Sequence, residues 1–302
     1  MTQSIAISEN FGDLLDSRFR KIYTTELKER IKESMIPYLF GMEKSTRAYE
    51  MMSGIGGVSG PQDFDGTLSY DTFAQLYDKT FTFPEKALGI KVERKLMDDE
   101  LFNIMDSKPW QLGISVARTR EKTAAGIFNS AFVGTGGPDS LPLCSASHPL
   151  SPDDATTQSN AGSTAFSATA VEATRRLGYT SVKNDRGELL EVNFDTILCA
   201  VSNEEAAWEL INSAGKTNMA NNNRNFHEGR YKLAVWHRLT DANNWFMLDS
   251  NLNKKFLLWW DRVSGDFNYD RDFDTMVAKW SVYERYSAGH CGYQGIYGHN
   301  VT

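Results

Sequence analysis

Cysteine is scarce in this chain, and what little there is does not form a framework. Cys144, Cys199 and Cys291 are three in 302 residues, odd in number and widely spaced. That pattern argues against disulfide staples and for folding in a reducing compartment. A chain of this length with 41% hydrophobic residues can bury a core without them. Histidine is equally thin. His148, His227, His237, His290 and His299 are scattered, and no second Cys/His pair accompanies Cys144 and His148, so a closed metal site of three or four ligands is not expected. No apolar run approaches the roughly 20 residues that cross a bilayer, which gives no membrane role. The first thirty residues carry Asp, Glu, Lys and Arg throughout, unlike a secretory leader, so the expected location is the cytoplasm until assembly or release. Nor is there a basic block. The densest cationic stretch, Arg118–Lys122, is interrupted by Glu121, and the net charge is −7. Sequence-independent binding of phosphates needs clustered cations, so direct binding of DNA or RNA is not expected.

Several short patterns resemble chemistry without completing it. Gly215-Lys216-Thr217 looks like the end of a phosphate loop, but the place of the first glycine is taken by Leu210. Asp270, Asp272 and Asp274 alternate as in a calcium loop, yet the required glycine and glutamate places hold Thr275 and Ser281. Cys144 and His148 could form a thiol–imidazole pair, which keeps a cysteine hydrolase open as an alternative, although no oxyanion hole or orienting third group is marked. Asn300-Val301-Thr302 is a glycosylation sequon in form only. No catalytic, cofactor-binding or metal residue is therefore expected.

What the chain does have is aromatic mass. Fifteen of its thirty-six aromatic residues lie between Tyr231 and Tyr297, including Trp236, Trp245, Trp259, Trp260 and Trp280. Such residues dominate cores and interfaces, so this quarter is built to pack and be packed against.

Local patterns place the elements. Phe11, Leu14, Leu15, Phe19, Ile22 (or Tyr23), Leu27 and Ile31 recur at helical spacing, a stripe that must dock on something, broken before Pro37. Residues 53–66 contain Gly54, Gly56, Gly57, Gly60 and Gly66 with Pro61, too many breakers for a helix or a central strand, and Asp65-Gly66 signals a turn. The β-prone runs Leu68–Phe83 and Ala87–Leu96, divided at Pro84, predict an extended two-stranded flap, with an ordinary sheet behind a surface loop as the alternative.

A long helix follows. It has acidic Asp98, Asp99 and Glu100 ahead of it, Ser107 as a cap and Pro109 in the first turn. Trp110, Ile114, Ala117, Glu121, Ala124 (or Ala125), Phe128 and Ala131 form its packed stripe, and Arg118, Arg120 and Lys122 its solvated or partner-facing side. At ~1.5 Å per residue it is a rod of about 33 Å. Beyond the irregular stretch 133–165, a helix runs from Ser167 to Leu177 and ends at Gly178. Phe194–Val201 reads as a buried strand, and Ser202 with Glu205 as a capping box opening a short helix. Strands are expected at Tyr231–His237, Asn244–Asp249, Phe256–Trp260 and Asp274–Tyr286. The sum is an α+β chain.

Five segments then carry a family resemblance: NSAF at Asn129–Phe132, LCSASHP at Leu143–Pro149, LTDANNWFMLD at Leu239–Asp249, WWDR at Trp259–Arg262 and DTMVAKWSVYERYSAG at Asp274–Gly289. In this order the chain resembles the major capsid (head) subunits of Mu-like tailed phages over roughly residues 95–298. The resemblance implies a Hong Kong 97-like fold. Its parts would be an N-terminal arm at 1–49, an extended loop at 50–97, a peripheral domain with a long spine helix at 98–139 and 271–302, and an axial domain at 140–270. It implies a structural protein, not an enzyme, that self-assembles through pentamers and hexamers into an icosahedral shell around double-stranded DNA. An encapsulin-like compartment shell on the same fold is the alternative. Only a short arm precedes the flap, so a separate scaffolding protein is implied, with a portal and a possible decoration protein as further partners. Assembly would take place in the host cytoplasm, and the virion would be the final location. Gly54, Gly56, Gly57, Gly60 and Gly66 are the assembly-flap residues, expected to let the flap bend differently at each position in the shell.

Overall fold

The computed structural model describes residues 12–61, 63–68, 70–93, 95, 107–216, 223–272 and 274–302. Phe11, the acidic Asp98–Glu100 and Thr217 lie outside the described residues, as do the side chains of Leu14 and Leu15.

The amphipathic stripe near the start forms helix α1, Gly12–Lys32. It docks on the body, as its stripe requires. Phe19, Tyr23 and Leu27 are buried against Leu112, Val116 and Ala117 of the long helix and against Phe267 and Trp280 of a sheet. The two helices approach closely at Gly113, where an added Cβ would sit 3.3 Å from the Tyr23 carbonyl oxygen. A short turn α2, Ile36–Leu39, carries Pro37 at its start, and strand β1, Gly41–Lys44, follows.

Strand β2 is Tyr49–Ile55, β3 is Gln75–Thr82 and β4 is Glu85–Glu93. The flap is the antiparallel ribbon of β2 with β3, not the Leu68–Phe83 and Ala87–Leu96 pair expected from the sequence. β4 instead joins the body by pairing with strand β12, Val277–His290. The reason is geometric. Only Pro84 and its neighbour separate β3 from β4, and the ladder continues from one sheet into another instead of reversing on itself.

The long helix α3 spans Ser107–Asn129. Its buried face is Pro109, Leu112, Gly113, Val116, Ala117, Arg120, Ala124, Ala125 and Phe128. The predicted stripe therefore holds from Ala117 to Phe128, but its first turn is rotated: Trp110 is 43% exposed. Arg120, expected on the solvated side, is buried. Its guanidinium pairs with Asp261 and, at 3.1 Å, with Glu284, and it lies over the rings of Trp259 and Tyr286. Burial raises the Glu284 carboxyl above its ordinary range, and the Arg120 charge opposes this.

Beyond α3 come the ribbon β5 (His148–Ser151) and β6 (Asp154–Gln158), strand β7 (Ala161–Gly162) and helix α4 (Ala168–Thr180). Ser167 caps α4 by accepting the Ala170 N–H. The helix does not stop at Gly178. That glycine is buried, and a Cβ there would lie 2.5 Å from the Val192 carbonyl oxygen, so it serves close packing instead of termination. Strand β8 is Thr196–Cys199, and helix α5 is Glu204–Asn212. The expected capping box does not form: a 3-10 turn at Val201–Asn203 precedes α5, and the Ser202 hydroxyl donates to the Ala242 carbonyl. Strands β9 (Lys232–Val235) and β10 (Trp245–Leu248), helix α6 (Ser250–Phe256), β11 (Leu257–Arg271) and, after β12, β13 (Ile296–His299) complete the chain.

Two sheets organise the body. One has the order β1-β11-β12-β4, and the other β7-β13-β10-β8-β9. β11 extends well past the predicted Trp260 to pair with β12 as a long hairpin. The glycine-punctuated tail holds β13, a strand absent from the sequence reading, which pairs antiparallel with β10. Trp236, Trp245 and Trp259 are fully buried and Trp280 nearly so, which makes the aromatic quarter a core. Trp236 and Trp259 belong to the cluster around Phe128 that joins spine helix to both sheets.

Candidate assembly surface

Large apolar side chains gather on the flap and stay uncovered. Tyr49, Met51, Met52, Ile55, Val58, Phe64, Leu68, Tyr70 and Phe73 are all exposed, Tyr70 by 90%. Isolated exposed hydrophobics are ordinary on a protein surface, but nine within one ribbon and its tip are a concentration of the kind that marks an interaction site.

The flap has three parts with different anchorage. At its root, the Tyr77 hydroxyl donates to the Ser151 carbonyl at 3.3 Å and Lys79 Nζ donates to the Gly136 carbonyl at 2.5 Å. At its waist, the Gly57 N–H donates to the Asp185 carboxylate at 3.0 and 3.2 Å. Arg186 reaches Asp71 at 3.2 Å and donates to the carbonyls of Gly57 (3.3 Å) and Thr72 (2.7 Å). Asp71 in turn accepts the Ser59 N–H at 2.7 Å. The hydrogen bonds from Ser59 and Thr72, with the Arg186 charge behind them, hold the Asp71 carboxyl down at about 2. The tip, beyond the waist, carries Val58, Phe64, Leu68 and Tyr70.

The five flap glycines therefore differ in kind. At Gly54 an added Cβ would lie 2.7 Å from the Leu76 Cβ, and at Gly56 it would lie 2.6 Å from an Asp185 oxygen. Gly57 offers its amide to Asp185. At Gly54 and Gly56 the missing Cβ permits close approach, while a Cβ at Gly57 would meet only ordinary contacts. A Cβ at Gly60 or Gly66 meets open space, and Gly66 has φ +105°. Asp185 and Arg186 were missed by sequence reasoning. The only local signal is the turn-forming Asn184–Gly187 segment, and nothing in it points to a glycine 128 positions away.

The other candidates fall away on geometry. Cys144 is 2% exposed inside the main core, and burial pushes its thiol far above the ordinary range, opposite to what an activated nucleophile needs. His148 is buried with its Nδ1 2.6 Å from Asp139 and its ring stacked on Tyr293 at 3.8 Å. Asp272 sits at the β11–β12 turn, where it accepts from the Thr275 N–H and from Lys279 Nζ at 2.8 Å. No group of three or more potential metal ligands occurs among the described residues, and no helix among them is long and apolar enough to cross a membrane.

A docked N-terminal helix, a projecting ribbon, a long spine helix and two sheets that share a core make the Hong Kong 97-like fold. Residues 77–298 match the family model described as phage capsid protein. The chain belongs to the phage capsid protein family, and so is a head-shell subunit found in the virion. Similar solved structures include the procapsid of bacteriophage JBD30, at 14% identity and a TM-score of 0.57, covering 98% of this chain and 77% of that one. The capsid of cyanophage P-SCSP1u is similar at 12% identity and a TM-score of 0.58, covering 88% and 87%. The capsid of a native GTA particle is similar at 14% identity and 0.57, covering 89% and 90%. No curated protein matches the chain.

Proposed function

We propose that the flap is the part of the subunit through which copies of this chain hold one another in the shell. The observation that carries the reading is the set of large apolar side chains that stay exposed along the ribbon and at its tip. Obligate interfaces bury about 2,000–5,000 Å², and a projecting ribbon reaches that area more readily than the edges of two compact bodies. Head-to-tail contacts whose rotations close then give rings of five and six and an icosahedral head. Double-stranded DNA is enclosed by this shell without sequence-specific contacts, in keeping with the net charge of −7. A separate scaffolding protein, a portal and a decoration protein are the further partners, assembly runs in the host cytoplasm, and the subunit is structural, without enzymatic activity.

Within the subunit we assign 1–49 as arm, 50–97 as extended loop, 98–139 and 271–302 as peripheral domain and 140–270 as axial domain. Two strands pair across these bounds: β13, within 271–302, pairs with β10, and β11, nearly all within 140–270, pairs with β12. The Mu-like kinship rests on the five sequence segments, and an encapsulin-like compartment has no separate observation in its favour.

The test replaces Phe64, Tyr70 and Phe73 together by Ser. The subunit should keep its denaturation midpoint within about 0.5 kcal/mol of the parent, since exposed positions away from special contacts are near neutral. Electron microscopy should show no closed shells. Intact shells from the triple variant would remove the flap from the assembly interface. Deleting residues 54–66 outright is a poorer test, because it also takes away the Gly57 anchor.

A further inference from the structure

We propose that the turn Asn184–Gly187 is a clasp that fixes the waist of the flap to its own subunit, so that adjustment between shell positions is confined to the tip at residues 58–70. The inference rests on the reading of the flap as the inter-subunit element, but its central contact is within one chain and is measurable without a shell.

Three observations carry it. First, the clasp grips backbone from both sides of the ribbon's open end. Asp185 takes the Gly57 N–H, while Arg186 takes the Gly57 and Thr72 carbonyls and the Asp71 carboxylate. A contact that spans both strands of a ribbon fixes its direction; a contact to one strand would leave it free to twist. Second, Gly56 is shaped for it, since a Cβ at that position would press to 2.6 Å from the Asp185 oxygen. Asp185 is itself only 8% exposed at its side chain, so its acceptor oxygens are shielded from water that would compete for the Gly57 N–H. Third, the contacts made by Asp185 and Arg186 reach Gly57, Asp71 and Thr72 and go no further into the tip. Beyond Gly57 and before Asp71, Gly60 and Gly66 have room around them and the apolar side chains Phe64, Leu68 and Tyr70 are uncovered.

The clasp supplies what two strands alone cannot. An isolated two-stranded ribbon is at best marginally stable in water, and a bare ribbon with an apolar face is also a template for wrong pairing. Tying its waist to the body by charge-assisted hydrogen bonds holds it in one orientation before any neighbour arrives. A neighbour then meets a pre-aimed ribbon and loses less conformational freedom on binding.

Hydrogen–deuterium exchange on the full-length chain, resolved by peptide across residues 54–75, tests the clasp. In Asp185→Ala/Arg186→Ala the Gly57 and Ser59 amides should exchange about tenfold faster or more, the loss expected for hydrogen bonds to charged groups, with no change in β11–β12. Gly56→Ala attacks the same contact from the flap side, leaves the 184–187 turn intact, and should give the same acceleration. Unchanged exchange at Gly57 and Ser59 in both variants overturns the clasp. If the double variant does not fold, Gly56→Ala decides alone. Shell formation, read by electron microscopy on the same samples, reports separately on the assembly reading. Failure of the parent chain to form shells would sink that reading and leave the exchange result standing.

Discussion

The β11–β12 hairpin and the flap are both antiparallel ribbons rich in large apolar residues, and they meet opposite fates. On the hairpin Trp259 is fully buried, stacked on Tyr286 at 4.7 Å and crossed by the Arg120 guanidinium. On the flap Tyr70, Ile55 and Phe64 are at least 70% exposed. The difference lies in what surrounds each ribbon. The hairpin is flanked by β1 and β4 and packed against α1 and α3, so its large apolar side chains are covered within one chain. The flap has one partner strand for each of its strands; its root is covered, where Phe81 is buried beside Trp260, while Ile55, Phe64 and Tyr70 are not. Apolar content therefore says that a segment will be covered, and the topology says whether the covering comes from the same molecule or another.

The contrast can be broken most directly in the hairpin. Trp259→Ala removes a fully buried ring from the main core and should cost about 3–5 kcal/mol, read as a shifted denaturation midpoint or as loss of soluble subunit. An effect under about 1 kcal/mol would mean that this region, too, draws its order from neighbouring copies.

Acid should separate the two regions next. His299 is buried against Trp245 at 4.1 Å. Its Nδ1 accepts the Thr164 N–H at 3.3 Å and its Nε2 lies 2.8 Å from the Thr174 hydroxyl. The ring is thus held neutral, and burial lowers its pKa to about 4. The unfolded chain takes up this proton below about 6.5 while the folded one does not, so stability falls as pH drops from about 6.5 towards 4, by at most about 3 kcal/mol. In the flap, the Asp71 carboxyl held at about 2 keeps its charge through that window, and its contribution is lost only as pH falls below the ordinary carboxylate range. Denaturation midpoints measured from pH 7 to 4.5 should fall for the parent and fall less for His299→Gln. The protection factor of the Ser59 amide, which donates to Asp71 and is taken relative to the intrinsic exchange rate at each pH, should hardly change over the same range. A parent midpoint flat across it would remove the neutral histidine from the account.

A finer comparison runs inside the flap. Gly54→Ala presses a Cβ to 2.7 Å from that of Leu76 and should cost about 1–3 kcal/mol through overpacking. Gly60→Ala, with open space around it, should stay within about 0.5 kcal/mol. Thermal melts of the two variants read this, and equal costs would mean that the flap glycines all serve one purpose.

Much of the fold was legible in the chain. The α1 stripe, the long helix after Ser107 and the strands around Trp245 and Trp280 all carry periodicities that local sterics and burial impose on neighbouring residues. The expected α3 stripe went wrong at Trp110 and Arg120 because residue type predicts burial only on average. An arginine becomes a core residue when Asp261 and Glu284, more than a hundred positions later, supply its counter-charges. β13 escaped notice because a four-residue strand among glycines has no periodicity of its own, and pairing with β10 alone makes it a strand.

The flap marks the boundary most clearly. Five glycines within fourteen residues determined that this segment would be neither helix nor buried strand, since each lowers the cost of unusual backbone without favouring any one shape. Which of them permit close contact and which have open space around them was decided only by the folded chain, when it carried Asp185 across 128 positions and Arg186 across 114 to the ribbon's waist. Local composition limits what a backbone can do. Contacts between distant segments select among those possibilities, because a hydrogen bond forms only where folding has already placed donor and acceptor together.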